Sequence, residues 1–415
     1  MTHPSWQRRF FTFWTAQAIS MIGSNLAQFG ITWWMTKSTG SATVLATATL
    51  FAMLPGIILG PLAGVLVDRW NRRWIIIVAD GVGALGAALL MLLFWADAIQ
   101  IWHVYAITAV RALAGTFHFA AEQSSLSLMV PQEQLARVAG LNQTIQGVNM
   151  VVAPPLGALL LELLGLSGMM ALDVVTAVIA IALVFILIIP QPTATAASAK
   201  LSIVSDLSTG VRYIWSWPGL FLGMCLSSLL NFLLNPAFSL LPILVTEHFN
   251  GNALQFATLN TTLGLGFIAG GVLLSVWSGF KRRVYTAVAG IIGMSLGALL
   301  IAIAPADGYW VAVAGMAIFG VLNPIANGPF MAIMQSVVAP EMQGRFFTVM
   351  NTMSAGMSPL GLLLAGPVAD AFGVQIWFLI GALGLLVIGG LFLAIPSLRK
   401  LEDHRFDQAL IAAQA

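Results

Sequence analysis

Long apolar runs separated by short polar segments dominate the chain. Each run has about the 20 residues that an α-helix needs to cross the hydrocarbon core of a bilayer. The runs are continuous rather than alternating, which argues against the short alternating strands of a membrane β-barrel. The pattern predicts twelve helices, at residues 10–35, 44–66, 74–96, 102–121, 138–164, 169–190, 219–246, 255–278, 284–304, 310–333, 346–369 and 375–396.

Composition agrees with this pattern. Of the 415 residues, 59% are hydrophobic and 8% are charged, whereas soluble domains have about 45–50% apolar and about 25% charged residues. A mean hydropathy of +0.94 excludes both a soluble domain and an intrinsically disordered chain. The predicted fold class is therefore all-α and polytopic, with the spans in the lipid bilayer.

Motifs for other chemistry are missing from the sequence. The single cysteine, Cys225, can form neither an internal disulfide nor a cysteine-based metal cluster. The sequence contains no phosphate-binding loop of the G-x-x-x-x-G-K-[ST] type, no metal-ligand spacing and no nucleophile elbow. We therefore expect no cofactor, no metal, no enzymatic activity and no nucleic-acid partner.

The basic residues are sorted by the predicted topology. If the N-terminus is inside, 15 of the 17 Lys and Arg residues fall on the inner side, Lys37 falls outside and Arg111 falls within a span. The positive-inside rule then predicts that both termini are cytoplasmic, in what we expect to be a bacterial inner membrane. The inner residues are Arg8, Arg9, Arg69, Arg72, Arg73, Arg137, Lys200, Arg212, Lys281, Arg282, Arg283, Arg345, Arg399, Lys400 and Arg405.

The two halves of the chain repeat each other. The longest polar stretch, 191–218, divides the chain almost in half, and the basic pair Arg72-Arg73 before helix 3 recurs as Arg282-Arg283 before helix 9. Repetition of a six-helix unit is typical of secondary transporters, in which two bundles move about a central site. The predicted organisation is an N-terminal bundle at 1–190, a cytoplasmic linker at 191–218, a C-terminal bundle at 219–398 and a cytoplasmic tail at 399–415.

Short motifs resemble those of a known family. Gly64-Val-Leu-Val-Asp68-Arg69-Trp-Asn-Arg72-Arg73 resembles the G-x-x-x-D-R-x-x-R-R signature of the major facilitator superfamily. Arg111-Ala-Leu-Ala-Gly115 is similar to its R-x-x-x-G motif, and Ala153-Pro-Pro-Leu-Gly157 to a degraded form of its G-P-x-x-G antiporter motif. Four further segments resemble the Mef-type macrolide-efflux branch of its drug:proton antiporters, namely Phe13–Gln17, Phe117–Ala121, Val130–Leu135 and Gly373–Phe378.

The resemblance implies a fold and a function. The fold is twelve transmembrane helices in two pseudo-symmetric six-helix bundles. The function is proton-coupled export of bulky amphipathic compounds such as macrolide-like drugs by alternating access, with a small molecule and protons as partners. The alternative is an exporter or flippase of an endogenous siderophore or lipid-like metabolite on the same fold. We expect a monomer.

A gating contact is predicted in the loop between helices 2 and 3. Asp68 is an acid beside the basic residues Arg69, Arg72 and Arg73. A carboxylate there can bridge basic residues and the end of a neighbouring helix. The resemblance adds Glu122, at the end of helix 4, as a partner of Arg72. The alternative is a solvated, positively charged loop.

Proton coupling is predicted to involve helices 3, 4 and 6. An arginine within a span costs from about 3 to more than about 10 kcal/mol, so Arg111 should face a cavity or a partner. His118 and Glu122 share its helix face. Proton coupling also needs a carboxylate that binds and releases a proton, and Asp80 and Asp173 are the deepest acids. We predict Asp80, Arg111, His118 and Asp173 as coupling residues, with purely structural hydrogen bonds of Arg111 and His118 as the alternative.

Helix 1 departs from the pattern of many drug antiporters. Those antiporters carry an acid in helix 1, whereas this helix offers the amides Gln17, Asn25 and Gln28. The candidate coupling acids of this chain therefore lie on helices 3 and 6, at Asp80 and Asp173.

Amide side chains recur at helical spacing in several spans. In a water-filled cavity such amides can bond to water and substrate, whereas facing lipid they would be costly. The resemblance places helices 1, 4, 7 and 10 around the substrate cavity, and hydrogen bonds between helices are the alternative. The predicted cavity residues are Gln17, Asn25, Gln28, Phe117, Asn142, Gln146, Asn149, Asn231, Asn235, Asn323 and Asn327.

Helix 5 contains a predicted bend. Pro154, Pro155 and Gly157 lie within the span, and proline removes a backbone hydrogen bond and kinks a helix. We predict that this motif bends during alternating access.

Overall fold

The computed structural model describes residues 4–187, 189–191, 212, 214–215 and 217–403, and in this part of the chain it is built from helices without strands. Most of the predicted linker at 191–218 and of the predicted tail at 399–415 lies outside the described residues. The long helices are α1 (Pro4–Thr39), α2 (Ala42–Arg69), α3 (Arg72–Trp95), α4 (Ile101–Met129), α5 and α6 (the two parts of Leu135–Ile186), α7 (Pro218–Ser239), α8 (Ala253–Trp277), α9 (Arg283–Ile303), α10 (Tyr309–Val337), α11 (Pro340–Phe372) and α12 (Gln375–Ala394).

These helices match the predicted spans one for one. Within the described residues, ten helical segments are long and apolar enough to cross a membrane, and one of them, Gln132–Ile186, runs through both α5 and α6. α1 is the additional predicted span, and it is 36 residues long. The all-α prediction is confirmed.

Local sequence signals set several helix boundaries. The Ser41 side chain accepts a hydrogen bond from the backbone N–H of Val44 at the start of α2, and Asn71 caps the start of α3 in the same way. Gly165 separates α5 from α6 with φ 65° and ψ −178°, and Gly373 ends α11 with φ 85°. Glycine adopts these positive φ values without the steric penalty of a side chain.

The described residues form two compact units. One unit contains those among 1–198 together with 251–261, and the other contains those among 199–250 and 262–415. In the first unit, fully buried side chains from α1 and α3 form one part of the core, among them Phe10, Phe13 and Ile76. A second core cluster of this unit joins α1 to α6 through Met35 and Met169.

Glycines allow close approach of helices inside each unit. A Cβ atom on Gly23 of α1 would lie 2.0 Å from Oγ1 of Thr176 on α6. In the second unit, a Cβ atom on Gly270 of α8 would lie 2.0 Å from the carbonyl oxygen of Val321 on α10. Small residues permit this packing between membrane helices, and in the first unit they bring α1 within hydrogen-bonding reach of α6.

Candidate functional site

The first unit encloses a cavity of about 500 Å³. Its walls come from α1 to α6, and its lining includes five ionisable side chains within spans. These side chains are Asp80, Arg111, His118, Glu122 and Asp173. The structure therefore brings together all four predicted proton-coupling residues, and it adds Glu122, which the sequence had assigned to the gating contact.

His118 lies between two carboxylates at one level of this cavity. Its Nε2 atom lies 3.2 Å from Oδ1 of Asp80 on α3, and its Nδ1 atom lies 3.9 Å from Oε2 of Glu122 on α4. Gln17 of α1 completes the group, because its Oε1 atom lies 3.1 Å from His118 Nε2 and its Nε2 atom donates to Oδ2 of Asp80 at 3.5 Å. We call these four residues the histidine cluster.

A second level of the cavity holds an ion pair. Arg111 Nη2 donates to Oδ2 of Asp173 at 2.6 Å, and Ser24 Oγ donates to Oδ1 of the same carboxylate at 2.8 Å. The side chain of Asp173 is 2% exposed and that of Arg111 is 19% exposed. The ion pair therefore links α4, α6 and α1, and both carboxylate oxygens have partners. Sequence reasoning missed Ser24, although it lies seven residues after Gln17 and so on the same face of α1.

Helix geometry places the two levels about two turns apart. Arg111 and His118 are separated by seven residues of α4, which corresponds to a rise of about 10 Å. Gln17 and Ser24 have the same separation on α1 but in the opposite order. Since α1 and α4 run in opposite directions along the cavity, each helix contributes one polar residue to each level. The stripe predicted on α4 is thus a two-level polar track.

The remaining predicted amides of the first unit have varied surroundings. Asn142 accepts a hydrogen bond from Trp14 Nε1 at 2.7 Å, and Gln146 Nε2 lies 3.8 Å from Sδ of Met21. Both amides line the cavity, as does Gln28, which donates to Thr32 Oγ1 at 3.2 Å.

Two other predicted amides of this unit, Asn25 and Asn149, are not part of the cavity lining. Asn25 is exposed. Asn149 is 8% exposed, and its Nδ2 atom has no hydrogen-bond partner among the described residues.

The predicted amides of the second unit bond mainly to their own helices. Asn231 Nδ2 donates to the carbonyl oxygen of Ser227 at 3.0 Å, and Asn327 Nδ2 donates to Oδ1 of Asn323 at 2.9 Å. Asn235 also reaches another helix.

The contacts of Asn235 join α7 to α11. Its Nδ2 atom donates to Asn231 Oδ1 at 3.1 Å and to Ser358 Oγ at 2.6 Å. The sequence alternative of hydrogen bonds between helices therefore applies to this residue.

Phe117 lies on a different surface from the polar cavity. It stacks against Trp70 with ring centroids 6.5 Å apart, and both rings line an apolar groove of about 620 Å³ with residues of α3 and α4. Phe119, two residues further along α4, lines the polar cavity instead. Each step along a helix turns the side chain by about 100°, so neighbouring aromatic residues of α4 face different environments.

The predicted gating residues make contacts inside the first unit. Arg72 is buried, and its Nη1 atom donates to the carbonyl oxygen of Ser124 on α4 at 2.7 Å. Arg73 donates through its guanidinium group to carbonyl oxygens of Val184 and Phe185 at the end of α6. These basic groups lie at helix C-termini, where the helix dipole favours positive charge.

Arg69, Asp68 and Glu122 are the other members of the predicted gating contact. Arg69 is exposed, and the side chain of Asp68 lies outside the described part of the structure. Glu122, the expected partner of Arg72, lies instead beside His118 in the cavity.

The predicted bend motif lies within continuous helix. Pro154 and Pro155 are both inside the helical segment that begins at Leu135, and its non-helical residue is Gly165. Gly157 lies against α1, since a Cβ atom there would approach Cδ1 of Phe29 to 2.9 Å. The glycine of this motif therefore has a packing role.

A helical membrane protein with charged side chains around an internal cavity has the features of a secondary transporter. The chain belongs to the Major Facilitator Superfamily, whose family model matches residues 13–362. This membership confirms the resemblance and the fold predicted from the sequence, and the chain is a multi-pass membrane transporter.

The chain is similar to efflux proteins within this superfamily and to a solved transporter structure. The chain is 31% identical over 399 residues to macrolide efflux protein A of Streptococcus pyogenes, covering 96% of this chain and 98% of that protein. It is 25% identical over 395 residues to the multidrug efflux pump Tap of Mycolicibacterium fortuitum, covering 92% and 94% of the two chains. A variant of the nucleoside transporter NupG has the same fold, with a TM-score of 0.70, 12% identity and coverage of 92% of this chain and 99% of that one.

Proposed function

We propose that this protein is a proton-coupled exporter of bulky amphipathic compounds such as macrolides and works by alternating access. Similarity to macrolide efflux protein A along nearly the whole chain supports the substrate class. The observation that carries proton coupling is the histidine cluster, which holds an imidazole between two carboxylates inside a membrane-spanning unit. Histidine and carboxylate groups at such depth are typical of proton relays in transporters.

The ion pair has a different part in this proposal. Arg111 and Asp173 neutralise each other and attach α4 to α6 and α1. The cavity then offers amides, aromatic rings and Met21 as an adaptable lining for a large substrate. We further propose that the protein acts as a monomer in the inner membrane with both termini in the cytoplasm, and that the loop containing Asp68 acts as a gating contact.

Substrate-driven proton movement tests the proposal. Purified protein is reconstituted in liposomes that contain a pH-sensitive dye, a pH gradient is imposed, and erythromycin is added as the macrolide probe. We expect erythromycin to cause proton movement that protein-free liposomes lack, and Asp80→Asn to reduce it strongly. Glu162→Gln is the matched control, because Glu162 is an exposed acid of α5 outside the cavity lining.

Two results would contradict the proposal. Exchange of erythromycin without proton movement would show a facilitator rather than an antiporter. Movement of a siderophore or a lipid analogue, but of no macrolide, would favour the alternative substrate class on the same fold.

A further inference from the structure

The hydrogen bonds of the histidine cluster fix which ring nitrogen of His118 holds a proton. Nε2 lies 3.1 Å from the amide oxygen of Gln17 and 3.2 Å from a carboxylate oxygen of Asp80. The amide oxygen can only accept hydrogen bonds. Gln17 is held in this orientation because its amide nitrogen donates to the other oxygen of Asp80 at 3.5 Å. The neutral imidazole therefore carries its hydrogen on Nε2.

The second ring nitrogen faces a different group. Nδ1 lies 3.9 Å from Oε2 of Glu122, which is longer than a hydrogen bond. In the neutral imidazole with its hydrogen on Nε2, Nδ1 has a free lone pair. Glu122 lies four residues further along α4, one turn closer to the end of this helix at Met129. An acid is thus placed between the base and that end of the cavity.

We infer that Nδ1 of His118 binds the exchanging proton, that Glu122 delivers it, and that Gln17 is the positioning residue that keeps Nδ1 free. In the delivery step the side chain of protonated Glu122 closes the 3.9 Å gap to hydrogen-bonding distance, its O–H bond breaks and an N–H bond forms at Nδ1, which gives a carboxylate and an imidazolium. The reverse step returns the proton to Glu122, and water at the end of the cavity supplies and removes it. This inference rests on the proposed function and specifies its coupling site.

The charged groups around His118 favour one exchanging proton at this level. Asp80 on α3 and Glu122 on α4 are its ionisable neighbours, and Gln17 on α1 is neutral. The cavity-lining amides of α5 are also neutral. Asp173 on α6 is committed to Arg111 and Ser24. An imidazolium would lie between two carboxylates, which stabilises its charge in the span.

Gln17 does not titrate, but the strength of its hydrogen bond with His118 can change. When Nδ1 gains a proton, the imidazolium strengthens its hydrogen bonds from Nε2 to Gln17 and Asp80, because charge-assisted hydrogen bonds are stronger than neutral ones. Gln17 belongs to α1, whereas the proton is bound on α4. Proton binding on α4 therefore changes the attachment of α1, which carries no acid within its span.

Nitrogen NMR of the full-length protein tests the inference without any substrate. Histidine is labelled with 15N, and the signals of His118 are assigned by their loss in His118→Gln. Spectra are recorded between about pH 5 and about pH 8, the range in which an unperturbed histidine changes its charge, and we expect the neutral ring of His118 to show hydrogen on Nε2. We expect Gln17→Leu to give a mixture of both tautomers and Glu122→Gln to change the pH dependence of Nδ1. Gln28→Leu is the matched control, since Gln28 lines the same cavity and bonds to Thr32.

Transport measurements separate this inference from the proposed function. Glu122→Gln should lower gradient-driven erythromycin transport about a hundredfold, which is within the effect of one positioned proton-transferring side chain, whereas Glu162→Gln, at an exposed acid outside the cavity lining, should leave it nearly unchanged. A neutral wild-type ring with hydrogen on Nδ1, or full coupling in Glu122→Gln, would overturn the inference. Absence of any proton movement in the wild type would instead overturn the proposed function, while the NMR result would stand.

Discussion

At the scale of single residues, Asp80 and Asp173, which the sequence ranks together as candidate coupling acids, have different surroundings. Asp173 is almost completely buried and bonds to Arg111 and Ser24. Asp80 shares a histidine with another carboxylate. Both carboxylate oxygens of Asp173 accept hydrogen bonds, one from Arg111 and one from Ser24, so Asp173 holds the Arg111 side chain in place within the span. Asp80 belongs to the histidine cluster, for which we propose proton exchange.

Removing one partner of the ion pair should destabilise the protein strongly. Asp173→Ala leaves the charge of Arg111, whose side chain is 19% exposed, without its partner within the span, and removing one partner of a buried ion pair costs about 3–5 kcal/mol. We expect a clear decrease in the midpoint of thermal unfolding in detergent. Replacing both partners, with Arg111→Met and Asp173→Leu, should recover most of this loss, because no unpaired charge remains.

Glu162→Ala provides the comparison for this experiment. Glu162 is an exposed acid of the same unit, and its removal should change the unfolding midpoint little. If Asp173→Ala unfolds at the temperature of Glu162→Ala, the ion pair does not stabilise the first unit. If the double variant is as unstable as the single one, lost packing rather than an unpaired charge is the cause.

The residue types of the site were predictable from sequence, whereas their pairing was not. Helical spacing alone placed Arg111, His118 and Glu122 on one face of α4. Their partners Asp80 and Asp173 come from α3 and α6, and which helices touch depends on tertiary packing that periodicity does not contain. Glu122 was assigned to Arg72 through the family resemblance, but it lies beside His118 because both residues point into the same cavity.

At the scale of helices, small residues decide which helices approach closely. α8 and α10 meet where a Cβ atom on Gly270 would collide with the backbone of Val321. We expect Gly270→Ala to lower the free energy of unfolding by about 1–3 kcal/mol, the usual cost of overpacking. Thermal unfolding of the purified protein measures this effect.

The neighbouring glycine is the matched control. A Cβ atom on Gly271 would meet nothing within 4 Å, and alanine is the better helix former by about 1 kcal/mol. Gly271→Ala should therefore be neutral or slightly stabilising. Equal destabilisation by the two substitutions would mean that loss of backbone flexibility, and not close packing of α8 against α10, is responsible.

Helix existence was easier to predict than helix ends. Continuous apolar runs identified each span, because about 20 such residues are a strong signal. α4 and α10 extend beyond their predicted ends, to Met129 and Val337. The extensions contain polar residues such as Glu122, Gln123 and Gln335, and hydropathy alone cannot distinguish a helix that continues past the bilayer from a loop.

At the scale of the whole molecule, the repeated basic pairs have acquired different contacts. Arg72 and Arg73 attach the start of α3 to the ends of α4 and α6. Arg282 donates to both oxygens of Asp403, at 2.7 and 2.6 Å. The repeat therefore preserves the charge of each loop, while the segment that follows α12 supplies the acids in the second half.

The distribution of basic residues predicts how the protein is oriented in the membrane. A single native cysteine makes the test direct, because Cys225→Ala leaves a background without thiols. Ala98, between α3 and α4, and Gln132, between α4 and α5, are both exposed and lie at opposite ends of α4. Under the positive-inside rule, Ala98 lies outside the cell and Gln132 lies in the cytoplasm.

On intact cells, a membrane-impermeant maleimide should label the protein with Ala98→Cys and should not label the protein with Gln132→Cys. Permeabilised cells provide the control, in which both positions should react. The opposite labelling pattern would show that the predicted topology is inverted. The helix end at Met129, from which Glu122 is proposed to receive its proton, would then open to the outside, and the proton would enter the histidine cluster from the opposite side of the membrane.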